Sequence, residues 1–294
     1  MQHYTQAVID IGSNSLRLMK GFCDADGRWQ FSPKELATTQ LGREMDKTGS
    51  LSPQGIRASL AAMRRWQETL PDIPVLAVAT SAVREAADGT AFMEEIGRRF
   101  HWKCRIISGK EEASLSFSGA ASLAVQGSYA GVLDIGGGSS ETALGRNKAL
   151  LWSHSYPLGA VRLSSPDGSF RAGEVEKIYE RCEAAFLPLP YTPDIWIGVG
   201  GTLTSLAAME LLLESYDPQQ VHGYLVTADR LRRRIAQLQY MTAEERRHIP
   251  GLQPKRADVI LAGLYIADAF MRHYGVAAIQ ISEQDLLEGV FYAL

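Results

Sequence analysis

Ala7-Val-Ile-Asp-Ile-Gly12-Ser-Asn-Ser15 and Ala130-Gly-Val-Leu-Asp-Ile-Gly136-Gly-Gly-Ser-Ser-Glu141 are built on one plan. Each is a short apolar run that delivers an acid two residues before a glycine turn: Asp10 before Gly12, Asp134 before Gly136. A continuous apolar run bounded by a turn reads as a strand buried on both faces, as in a parallel sheet. The offset between the acids, 134 minus 10 or 124 residues, is too long for a solenoid repeat and suits a duplicated domain. The expectation is a doubled α/β unit.

The flanking sequence fits that plan. Leu16 to Cys23 reads as a strand returning from the first turn, and Thr142 to Gly145 as the matching return from the second. Ser52-Pro53 is a helix start, Ser as N-cap and Pro in the first turn, followed by Ile56, Leu60, Met63 and Leu70 at helical spacing. Further helices are expected over 90–100, 111–123, 174–186, 203–213, 228–238 and 256–273, and strands over 75–79, 104–107, 194–199 and 277–281. The stretch 164–172 is the least regular. No low-complexity linker separates the halves.

Composition bounds the class. At 294 residues, two domains are the natural prior, and 46% hydrophobic with 21% charged residues is ordinary for a chain that buries a real core. A net charge of −3 argues against nucleic-acid binding by bulk attraction, although a polyanion is allowed if basic groups converge in one cleft. No apolar run approaches a membrane span, and nothing before Ala7 reads as a signal peptide. Cys23, Cys104 and Cys182 form no CxxC pair and read as buried free thiols. A cytoplasmic protein is expected.

A glycine turn after a strand lets backbone N–H groups approach an anion that a Cβ would keep away. Gly12-Ser13-Asn14-Ser15 and Gly136-Gly137-Gly138-Ser139 both suit a phosphate. Asp10 and Asp134 beside such an anion make sense with a divalent cation between, Mg²⁺ held through water. There is no GxxxxGK[ST], no HExxH and no GxSxG, and Gly198-Val-Gly200-Gly201 lacks the third glycine of a dinucleotide fingerprint. Arg232-Arg-Arg234 and Arg246-Arg247 read as solvated helix faces.

Eight motifs in order then carry a resemblance. Asp10-Ile-Gly-Ser-Asn-Ser-Leu-Arg17, Thr80-Ser-Ala-Val-Arg84, Ile107-Ser-Gly-Lys-Glu-Glu112, Asp134-Ile-Gly-Gly-Gly-Ser-Ser-Glu141, Pro157-Leu-Gly-Ala-Val-Arg-Leu163, Gly198-Val-Gly-Gly-Thr202, Val221-His-Gly-Tyr224 and Ile249-Pro-Gly-Leu-Gln-Pro-Lys-Arg256 resemble the exopolyphosphatase / guanosine pentaphosphate phosphohydrolase (Ppx/GppA) family. The resemblance implies two actin-like domains of the ribonuclease H-like (ASKHA) superfold, expected over 1–125 and 126–294, with an active-site cleft between them. It implies Glu112 as general base; Arg17, Arg84 and Arg256 as substrate-binding residues beside the two loops; and Glu141 as a metal ligand with Asp10 and Asp134, for Mg²⁺ or Mn²⁺. From sequence alone, Glu111 and Glu112 would be a solvated helix start, where acids suit the helix dipole.

The implied activity is release of the terminal phosphate of inorganic polyphosphate. Guanosine pentaphosphate is the alternative substrate, and a non-catalytic nucleotide or polyphosphate sensor the rival class. The implied partner is that polyanion, with no nucleic acid and no membrane; a homodimer is left open. Relatives read Ser-Asp-x-Gly-Leu-Arg-Glu-Gly near the C-terminus; this chain has Ser282-Glu283-Gln-Asp285-Leu-Leu287-Glu-Gly289. Leu287 in place of Arg is expected to leave a corner of the cleft short of positive charge. The resemblance is to the short form without a helical C-terminal domain, from which poor processivity on long polyphosphate is expected.

Overall fold

The computed structural model describes residues 4–294 apart from 71, 148, 166 and 172. Two mixed sheets carry the architecture. The first contains β1 (Gln6–Ile11), β2 (Ser15–Cys23), β3 (Trp29–Phe31), β4 (Glu35–Thr38), β5 (Val75–Ala79) and β6 (Lys103–Ile106), in the order β3-β2-β1-β5-β6 with β4 also paired to β2. The second contains β7 (Tyr129–Ile135), β8 (Ser140–Arg146), β9 (Ala149–Tyr156), β10 (Ile195–Val199), β11 (Leu225–Thr227) and β12 (Ala278–Ile281), in the order β11-β12-β10-β7-β8-β9.

The duplication extends to register. In each half the leading strand runs antiparallel to its hairpin partner and parallel to a later crossover strand: β1 with β2 and β5, β7 with β8 and β10. Asp10 faces Arg17 across the first hairpin, and Asp134 faces Glu141 across the second. This is a doubled α/β fold with two mixed sheets. All five residues of β5 are buried, as expected of a strand covered on both faces. Ser52 caps the helix Pro53–Thr69 by accepting from the N–H of Gly55.

Each sheet has its own core. Ala7, Ile9 and Ile11 pack with Met63, Trp66 and Ile96 in the first half, while every residue from Ile260 to Met271 is buried in the second. The two expected units nevertheless exchange a helix. The helix Gly109–Ala120 lays Ala113, Phe117 and Ala120 on Val132, Ala143 and Ile197 of the second sheet. The helix Leu286–Tyr292 returns to the first sheet, where Leu287, Val290 and Phe291 pack with Val8, Met19 and Leu76.

These two helices cross at glycines. A Cβ on Gly119 would lie 1.9 Å from the carbonyl oxygen of Asp285, and one on Gly289 would lie 1.9 Å from that of Leu115. No side chain fits either position without moving backbone. Gly289→Ala should therefore cost about 1–3 kcal/mol as an overpacked contact. Gly97→Ala is the control, because its nearest neighbour would be an ordinary 3.6 Å away within a helix. That change should be neutral or stabilise by about 0.4–1 kcal/mol. Urea unfolding midpoints decide the matter; equal midpoints for the two variants would mean that the crossing tolerates a side chain.

Candidate active site

The two glycine turns have one geometry. The N–H of Gly12 donates to the carbonyl of Ser15 at 3.1 Å, and that of Gly136 to the carbonyl of Ser139 at 2.9 Å. The turns also abut: a Cβ on Gly137 would stand 2.9 Å from Ser13 Cβ, and one on Gly138 would stand 2.6 Å from Ser13 Oγ and 2.5 Å from Ser81 Oγ. Glycine is needed here for close approach, because φ is not positive at either position. A cleft of about 410 Å³ opens over them. Its wall includes Asp10, Gly12, Ser13, Asn14, Ser15, Arg17, Glu112, Asp134, Gly136, Gly137, Gly138, Ser139 and Arg256.

Arg84 and Glu141 stand behind that wall. Arg84 donates to Glu112 Oε2 at 2.8 Å and to the carbonyl of Ile107 at 2.9 Å, and so holds the carboxylate from the rear. Glu141 accepts from Ser155 Oγ at 2.6 Å, and Asp134 accepts from Ser116 Oγ at 2.8 Å. On the opposite side the halves are tied by Arg162, which bonds Asp46 and Glu85, and by Gln40 Nε2 donating to Asp258 at 2.8 Å.

Crowding of buried acids sets the electrostatics of the cleft. Burial pushes Glu112, 8% exposed, up to about 7 despite its bond to Arg84, and the charges of Asp134 and Asp10 add to the rise. Burial likewise pushes Asp134 up to about 6, helped by the charge of Asp285. Glu141 is held well above the carboxylate range, by burial first and then by Glu112 and Asp134. Asp10 is raised by burial against the pull of Arg17, and its Oδ1 is buried with no hydrogen-bond partner. Such a set asks for positive charge. Among the described residues no three His, Cys, Asp or Glu side chains converge as a ready metal cage. The unpartnered Asp10 Oδ1 and the oxygen-only chemistry of these acids would suit a hard cation held partly through water, such as Mg²⁺.

A model of the Ppx/GppA phosphatase family matches residues 25–294. The chain belongs to that family. It is 31% identical to exopolyphosphatase 2 of Mycobacterium tuberculosis, over 98% of both chains. It is 26% identical to the guanosine-5'-triphosphate,3'-diphosphate pyrophosphatase of Vibrio campbellii, covering 98% of this chain and 59% of that protein. In structure it matches a Ppx/GppA enzyme of Aquifex aeolicus with a TM-score of 0.80 at 30% identity, covering 98% of this chain and 99% of that one. It also matches an exopolyphosphatase of Cytophaga hutchinsonii with a TM-score of 0.87 at 25% identity, covering 98% and 96%.

Several residues of this Ppx/GppA chain sit differently from the sequence-based expectation. Leu287 is 0% exposed and faces the first sheet, so an apolar residue there removes no cation from the cleft. A cation comes instead from Lys34, in the irregular link between β3 and β4, where no motif marked it. Asp285 lies on the wall and pairs with both Arg17 and Lys34. Arg246 is 0% exposed and donates to the carbonyls of Ala257 and Gly168, each at 2.6 Å; it ties loops together and is no solvated face. Cys23 is exposed, Cys104 half-buried and Cys182 buried. Gly200, Gly201 and Thr202 also line the cleft, and a Cβ on Gly201 would fall on the Arg256 guanidinium, 1.6 Å from its Nη1. Burial holds Arg256 down to about 10, with the charge of Arg17 adding to the effect.

The raised acids carry a stability cost with a definite pH sign. An acid whose folded-state value exceeds its unfolded value, about 4, binds more protons when folded, so stability falls as pH rises between the two. For Asp134 that window runs from about 4 to about 6. Asp134→Asn keeps the acceptor for Ser116 and removes the charge. In buffer without divalent cations it should unfold at a higher temperature than the parent at pH 8, with the advantage gone near pH 4. Thermal unfolding at the two pH values tests this; a variant less stable than the parent at pH 8 would contradict it.

Proposed function

We propose that this phosphohydrolase removes the terminal phosphate of inorganic polyphosphate, with Glu112 as the base that activates water. One observation carries the reading. A carboxyl pushed up to about 7 stands on the cleft wall with the two glycine turns, oriented by Arg84 from behind. A base tuned near neutral pH is matched to taking a proton from water, whereas a sensor that only binds has no use for one.

Phosphoryl transfer asks for in-line attack and for neutralisation of the charge on the phosphoryl oxygens. The terminal phosphoryl group would seat against the two turns Gly12 to Ser15 and Gly136 to Ser139, on amides other than those of Gly12 and Gly136, which close the turns themselves. Glu112 would take the water proton as the water oxygen attacks phosphorus; the bridging oxygen leaves with the shortened chain. Asp10, Asp134 and Glu141 would hold Mg²⁺ or Mn²⁺ through water, and when bound that ion offsets charge shared between the acids and the phosphates. Arg256 would contact phosphates farther along, on the same wall as Arg17 and Lys34.

Guanosine pentaphosphate is the second reading. The Vibrio relative carries that activity in its name, and Tyr216 offers an aromatic ring on the wall near Arg256. A cytoplasmic setting belongs to the proposal; among the described residues no helix is long and apolar enough to cross a membrane. Phosphate release measured side by side with short polyphosphate, long polyphosphate and guanosine pentaphosphate, with and without Mg²⁺, separates the readings. Release from none of them would remove the reaction altogether.

Glu112→Gln keeps the shape and cannot accept a proton. It should lower kcat by about 10²–10⁴-fold while substrate affinity holds; a variant keeping a tenth of the parental kcat would overturn the role of Glu112. In the parent, kcat/KM should fall as pH drops through about 7, because protonation removes the base. A flat profile between pH 6 and 8 would count against Glu112 in the same way.

A further inference from the structure

Arg17 and Lys34 reach the cleft from the first sheet and its β3–β4 link, yet neither is free to meet a substrate. Arg17 donates to Asp10 Oδ2 through Nε at 2.9 Å and Nη2 at 2.7 Å, and pairs with Asp285 through Nη1. Lys34 lies 3.3 Å from Asp285 Oδ1 and 3.0 Å from Glu288 Oε2, and also donates to the carbonyl of Glu283. Two cations thus meet three acids, Asp10, Asp285 and Glu288, and the corner carries no net positive charge. Asp285 is the member shared by both cations.

Its placement makes that contact firm. Asp285 is 5% exposed and caps the helix Leu286–Tyr292: its Oδ1 accepts from the N–H of Leu287 at 3.1 Å, and its own N–H donates to Glu288 Oε2 at 2.9 Å. The carboxylate cannot swing away without uncapping that helix. Its backbone is pinned as well, because its carbonyl lies against Gly119.

We propose that Asp285 is a specificity-determining residue, an internal anion that occupies Arg17 and Lys34 in place of substrate phosphate. A phosphate seated on these cations must compete with a preorganised carboxylate and lies close to its charge. The cleft therefore binds polyanions more weakly than its count of basic residues implies, and gains little from each phosphate beyond the reacting end. This rests on the polyanion reading of the cleft given above.

Asp285→Asn isolates the charge, since Asn is as good an N-cap as Asp. The expected result is a KM for tripolyphosphate about tenfold lower, with kcat within about twofold, a change of about 1.4 kcal/mol in binding. Affinity should also depend more steeply on salt, as more cations engage the polyanion. The added change Arg17→Gln should abolish most of the gain, because the two residues act on each other. A purely structural role would lower the unfolding temperature without shifting KM or the salt slope, and that outcome would overturn the proposal.

Calorimetric binding of tripolyphosphate at fixed Mg²⁺, in the Glu112→Gln background with and without Asp285→Asn, reads affinity apart from turnover. Tighter binding by the double variant than by Glu112→Gln alone supports the assignment. Equal or weaker binding by a folded double variant overturns the role of Asp285 and leaves the polyanion reading standing. Absence of binding in both proteins sinks the polyanion reading and this assignment together. A fall in kcat at unchanged KM would make Asp285 part of the chemistry and also overturn the proposal.

Discussion

The crossing of two helices at Gly119 and Gly289 sets the acids of the cleft and Arg17 in register across the two halves. The helix Gly109–Ala120 carries Glu112 near its start and Ser116 one turn on, which holds Asp134 of the other half. The helix Leu286–Tyr292 carries Asp285 at its cap, which holds Arg17. Because backbone meets backbone at the crossing, neither helix can shift without disturbing both acid partners. Glu112, Asp134 and Arg17 are thereby registered across two sheets that, among the described residues, share no hydrogen-bonded strand.

That rigidity supports an arrangement that is unfavourable on its own. Glu112, Asp134, Glu141 and Asp10 are all raised by burial, and Arg84 and Arg17 pair directly with only two of them, Glu112 and Asp10. A domain with no function for these acids would be more stable with amides in their place, which is the usual relation between a binding site and the scaffold that carries it. The two halves also differ where their registers agree. Position 17 on the first hairpin and position 141 on the second are equivalent in register, yet one is Arg and the other Glu. One turn is thus provided with a guanidinium and its twin with a carboxylate, giving the cleft a polarity that a symmetric pair would lack.

Much of this was legible in the sequence, for identifiable reasons. The buried strands β1, β5, β7 and β10 are continuous apolar runs, and the Asp-x-Gly turns announce themselves twice. The edge strands β3, β4 and β11 were not legible, being three or four residues long and paired chiefly through backbone. The helix expected over 256–273 begins at Ile260, because Pro254 to Arg256 forms a separate tight turn. Local pattern also misplaced Arg246, whose charged neighbours in sequence look solvated while its own guanidinium turns inward to carbonyls. Lys34 was invisible because its role depends on Asp285 and Glu288, at the other end of the chain. Leu287 and Asp285 both depart from the pattern Ser-Asp-x-Gly-Leu-Arg-Glu-Gly, but only the packing of the helix Leu286–Tyr292 tells which one faces the cleft.

The helix exchange has a consequence for biosynthesis. When the first sheet has left the ribosome, the face bearing Val8, Met19 and Leu76 still lacks Leu287, Val290 and Phe291, which lie about 200 residues further along the chain. The helix Gly109–Ala120 likewise waits for β7, β8 and β10 before its apolar side is covered. Neither half can therefore close its core from its own stretch of sequence alone, and the N-terminal sheet must be kept from other partners until the helix Leu286–Tyr292 has been made.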